Sequence, residues 1–111
     1  MSGRLELWLF AAQRLSAMIL APLVLLHLGV MIYAVQGGLS ASEILGRTQG
    51  SIFWGGIYGL FILAAAVHGA IGLRVVIKEM TAWRGIVPNA VAALFCLAVL
   101  VLGVRAVGAI T

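Results

Sequence analysis

"FILAAAVHGAIGLRVVIKEM", Phe61 to Met80, is apolar except for one histidine, His68, until it closes on a burst of charge at Arg74, Lys78 and Glu79. Together with the residues before it, the apolar run reaches from Ile52 to Ile77, enough for the roughly 20 residues that cross about 30 Å of hydrocarbon as a helix. Two further runs of that kind, Leu15 to Val35 and Ile86 to Val104, flank it. The composition agrees: of 111 residues, 64% are hydrophobic and 9% charged, and the mean hydropathy is +1.20. That leaves too little polar surface for a soluble domain. The predicted fold is an all-α membrane protein with three transmembrane helices in a single domain over residues 1–111.

The basic residues predict the orientation. Arg4 and Arg14 precede the first span, and Arg74, Lys78 and Arg84 lie around the connection between the second and third. Only Arg47 and Arg105 stand on the other side, so the N-terminus is expected inside and the C-terminus outside. The net charge of +4 follows from this bias. With no basic stripe beside exposed aromatics, no nucleic-acid partner is expected. The stretch from Met1 to Gln13 carries both acid and base and has no small-residue cleavage site after the following apolar run, so it reads as retained rather than as a signal peptide. The lone cysteine, Cys96, excludes a disulfide framework and a paired-cysteine metal site.

Short interfacial helices are expected at two places. Gly3 to Gln13 alternates apolar and charged residues around Trp8, which suits a turn or two of interfacial helix on the inner surface, leading into the first span. In the outer loop, Ser40 and Glu43 stand at capping-box spacing and Gly50 ends the pattern. The connection from Glu79 to Gly85 is short enough to force antiparallel neighbours, and Pro88 suits the first turn of the third helix.

His68 is the first candidate for chemistry, because an ionisable side chain at membrane depth faces protein, a cavity or a cofactor rather than lipid. Ala64 and Gly72 lie one turn before and after it, leaving a shallow trough in which a flat macrocycle can lie beside an axial histidine. The same spacing equally suits a small-residue helix contact with His68 hydrogen-bonded to a neighbouring helix. His27 is the second candidate. Gln13, Ser16, Leu20 and His27 fall within about 40° of one stripe of the first span, which should face into the bundle. Pro22 nearby gives His27 a purely packing alternative, bonded to freed backbone. Measured from the inner helix ends, His27 lies about 18 Å deep and His68 about 14 Å. Adjacent helices about 8–10 Å apart stand too close for the two to grip one porphyrin, so the opposite ligand is expected on a partner chain.

"QRLSA" (Gln13–Ala17), followed some fifty residues later by "HGAIGLRVVIKE" (His68–Glu79), resembles the haem-bearing membrane anchors of succinate:quinone oxidoreductases, the C and D (cytochrome b) subunits of succinate dehydrogenase. The resemblance covers most of the chain. It rests on an R-x-S motif at Arg14 and Ser16, and on H-x-x-x-G-x-R at His68, Gly72 and Arg74 with an acidic residue eleven positions after the histidine, Glu79. It implies haem b, one or two, with His68 as iron ligand, Gly72 beside it and Arg74 toward a propionate. It also implies a quinone pocket at Arg14 and Ser16; the plain alternatives are topology anchoring by snorkelling for Arg14 and Arg74 and, for Ser16, a bond to its own backbone. The implied partners are a second membrane-anchor chain, an iron-sulfur subunit and a flavoprotein that carries the dicarboxylate chemistry, with membrane lipid around them. The expected location is a bacterial inner membrane. The C-type quinone serine falls on Phe10, the second C-type histidine on Val75, and the D-type Asp-Tyr pair on Glu79 and Met80, so neither subunit type is matched throughout. His27 fits only the two-haem members. A cofactor-free membrane protein of structural or assembly role is the alternative; none of Glu6, Glu43 and Glu79 lies within a span, unlike the acidic residue of a proton-coupled transporter.

Overall fold

The computed structural model describes residues 3–111; Met1 and Ser2 of the expected 1–111 domain lie outside the described residues. The chain forms α1 (Gly3–Gly37), α2 (Ala41–Thr48), α3 (Ile52–Met80) and α4 (Ile86–Ile110), with no strand among the described residues. The three long helices are apolar enough to cross a bilayer. The molecule measures 49 × 24 × 22 Å, and its long axis covers the roughly 40–45 Å of a bilayer with its headgroups.

Helix α3 lies in the middle, with α1 on one side and α4 on the other. Small residues bring α3 and α4 together. A Cβ added at Gly103 would stand 2.4 Å from Ile62 Cγ2, and one at Gly69 would stand 3.0 Å from Phe95. Pro88 sits in the first turn of α4, fully buried, where its missing N–H breaks no helical bond. The outward faces of α1 and α4 remain apolar and exposed, including Leu25, Leu94, Leu102 and Val104. Lipid and other subunits are the natural cover for such faces.

The turns follow their residue types. Gly38, at φ +119°, ends α1 in a backbone region open to glycine. Ser40 caps α2 by accepting from the Glu43 N–H at 3.2 Å and donating to Glu43 Oε1 at 2.6 Å. Thr48 donates to the Ile110 carbonyl, and the Gly50 N–H donates to the Thr111 carbonyl at 2.9 Å. These two bonds hold the end of α4 against the α2–α3 connection.

The segment Gly3–Gln13, expected as a turn or two of helix leading into the first span, forms one unbroken helix with it. It runs along α3 because Glu6 pairs with Arg74 Nη2 at 2.6 Å. Helix α4 extends beyond the expected span Ile86–Val104, through Arg105 to Ile110, where the bonds from Thr48 and Gly50 hold its end. Pro22 lies inside α1 without ending it.

Candidate functional site

The polar stripe of α1 meets α3 along its length. Ser16 is buried and its Oγ lies 3.3 Å from His68 Nδ1. One turn toward Glu6, Gln13 Nε2 stands 3.6 Å from where a Gly72 Cβ would be. Gln13 Oε1 is buried without a hydrogen-bond partner among the described residues. Nearer the α2 end, the His27 ring meets Phe61 edge-on at 5.2 Å and Tyr58 at 6.3 Å.

These contacts change the expected surroundings of His68. The trough at Gly72 is covered by Gln13, and the groove beside Ala64, lined by Ala12, Leu15, Ile19 and Val67, holds only about 190 Å³. That is below the roughly 300–1,000 Å³ typical of ligand pockets. The space between α1 and α3 beside His68 is therefore too small for a macrocycle. The helix contact foreseen as the alternative is present, yet it uses one ring nitrogen. His68 is half-buried, and Nε2 has no hydrogen-bond partner among the described residues.

The histidines also stand at different heights. Ser16, level with His68, precedes His27 by eleven residues of α1, about 16 Å of rise. The expectation of similar depth took Leu15 and Ile77 as level. Because Gln13 meets Gly72 and Ser16 meets His68, the two helices are offset by about two turns from that alignment. His27 instead borders a cleft of about 930 Å³ between α1, α2 and α3, with Tyr33, Arg47, Trp54 and Tyr58 on its walls. Arg47 is held there by the Gly38 carbonyl at 2.8 Å and stacks over Tyr33 at 5.5 Å.

The arginines of the two sequence motifs differ sharply. Arg74 is 5% exposed. Its Nε donates to Asn89 Oδ1 at 2.6 Å, and Nη2 and Nη1 donate to the two Glu6 carboxylate oxygens at 2.6 and 3.4 Å. Lys78 Nζ adds a contact to Glu6 at 3.8 Å. The guanidinium is thus engaged within the chain, joining α1, α3 and α4. Arg14 is exposed, its guanidinium 5.7 Å from the centre of the Phe10 ring. Arg14 and Ser16, neighbours in one motif, face opposite sides of α1. Glu79 is exposed at the end of α3.

Glu6 and Asn89 escaped the sequence reading. Glu6 was visible only as one of three acidic residues, and Asn89 as a polar residue directly after Pro88 in an apolar run. Among the described residues, no three His, Cys, Asp or Glu side chains converge on a point. A porphyrin brings four equatorial nitrogens of its own, so a single imidazole with an unclaimed nitrogen fits that group as an axial ligand.

The family model for the succinate dehydrogenase/fumarate reductase transmembrane subunit matches residues 1–109. No curated protein and no solved structure matches the chain.

Proposed function

The chain belongs to the succinate dehydrogenase/fumarate reductase transmembrane-subunit family, and from that membership we propose that it is the haem b-binding anchor of such a complex, passing electrons from an iron-sulfur subunit to quinone. It is an integral membrane subunit of a larger complex; the dicarboxylate chemistry belongs to a flavoprotein partner. Bound haem would supply a one-electron relay at membrane depth. His68 would hold the iron through Nε2, and the opposite ligand would come from a second anchor chain on the side of His68 that α1 leaves open. The resemblance puts Arg14 at the quinone, where its exposed guanidinium can donate to a carbonyl at the boundary with a partner. Arg74 is better supported as the lock between helices than as a propionate partner, since Glu6 and Asn89 already engage it. The charge bias supports an N-terminus on the cytoplasmic side of a bacterial inner membrane.

The observation that carries this reading is the half-buried His68, oriented through Nδ1 by a neighbouring helix with Nε2 unclaimed. Ligand histidines are commonly fixed in this way. His68→Ala, in the assembled complex, should abolish or severely perturb the reduced-minus-oxidised band of haem b while the chain still inserts. An unchanged spectrum refutes the ligand role. The second reading, a cofactor-free structural subunit, draws on the same His68–Ser16 contact as simple helix packing; a colourless complex from cells with verified haem supply would favour it.

A further inference from the structure

The hydrogen-bond directions around Ser16 specify more than a contact. Ser16 is 4% exposed, and its hydroxyl donates to the Gln13 carbonyl at 3.0 Å. A hydroxyl has one proton to give. With that proton directed at Gln13, the oxygen offers lone pairs to His68 Nδ1, 3.3 Å away. Nδ1 must then carry the N–H, and the lone pair of the neutral ring falls on Nε2.

We propose that Ser16 is the positioning residue for His68: it accepts the Nδ1–H, selects the tautomer with a free Nε2 lone pair, and holds the ring plane for iron ligation. This rests on the haem reading above. It separates Ser16 from the quinone role that the resemblance attaches to the R-x-S motif, since Arg14 points to the opposite side of α1. The arrangement is built into α1 itself. Gln13 supplies the acceptor that takes the Ser16 proton, and its side chain stands over Gly72, one turn along α3 from His68. An Nδ1–H bonded to an oxygen makes the imidazole more basic, and a more basic ligand favours ferric over ferrous iron.

The test uses the assembled complex. Ser16→Ala should retain haem but raise its midpoint potential and shift the low-spin ferric resonance lines, because the ligand loses its acceptor. Ser16→Thr, which keeps a hydroxyl, should match the wild type in both. Should Ser16→Ala fail to assemble, Ser16→Cys carries the test: sulfur of similar size is a weak acceptor, and the potential should again rise. A wild-type potential and resonance spectrum in haem-loaded Ala or Cys variants overturns the proposal, as does a Thr variant shifted as far as Ala. His68→Ala distinguishes the two levels: haem retained there removes the ligand reading itself, whereas haem lost there with spectrally silent Ser16 variants removes only the role of Ser16.

Discussion

Arg14 and Ser16 are two positions apart, about 200° around a helix, and that angle divides their chemistry. Ser16 turns to His68, while Arg14 is exposed with the Phe10 ring beside it. Phe10 occupies the place where the C-type pattern has a quinone-site serine, so a quinone near Arg14 would meet a cation and an aromatic face rather than a cation and a hydroxyl. A hydrogen bond to a charged donor is worth about 1.5–3 kcal/mol. Arg14→Leu should therefore slow quinone reduction roughly ten- to hundredfold while leaving succinate oxidation with a soluble acceptor intact. Loss of both activities together with the subunit would make Arg14 an assembly anchor. Nothing in the sequence distinguishes Arg14 from Arg74 as residue types at span ends. Their difference depends on Glu6 and Asn89, which come from other helices.

Helix α3 is held differently on its two sides. Against α4, apart from the Arg74–Asn89 bond, the contact is steric: Gly103 admits Ile62 so closely that even a methyl group would collide with three of its side-chain atoms. Overpacking of this kind costs about 1–3 kcal/mol. Gly103→Ala should lower the thermal midpoint of the purified complex, and adding Ile62→Ala should recover part of the loss; a stable single variant would show that the helices can shift apart freely. Against α1 the contact is polar, through Arg74, His68 and Gly72. The existence of the three spans was legible because apolar length alone dictates it, and the cap at Ser40 because its spacing is local. The ends of α1 and α4 were not. One depends on a bond between residues 68 positions apart, the other on Thr48 and Gly50 reaching Ile110 and Thr111. No local pattern carries either.

Across the whole molecule, the two histidines serve different levels of the bundle. Helical periodicity is enough to put Gln13, Ser16 and His27 on the side of α1 that meets α3, although His27 itself is exposed there. The relative height of His27 and His68 was not legible, since it depends on how far α1 slides along α3. His27 meets Phe61 and Tyr58 edge-on but is exposed beside the cleft of about 930 Å³; since the resemblance gives it a role only in the two-haem members, the expected count is one haem b per flavin by pyridine haemochrome, unchanged in His27→Ala. Two haems falling to one in that variant would instead make His27 a ligand of the second. The Glu6–Arg74 pair also bears on the order in which the chain is made. Glu6 leaves the ribosome 68 residues ahead of Arg74, roughly 3–14 s at about 5–20 residues per second. Asn89, the other partner of that guanidinium, emerges later still. The first helix thus enters the bilayer with its carboxylate waiting for a partner not yet synthesised. The Glu6–Arg74 pair can close once α3 is made, before Asn89 exists, so the newest helix rather than the oldest is the last to be fastened.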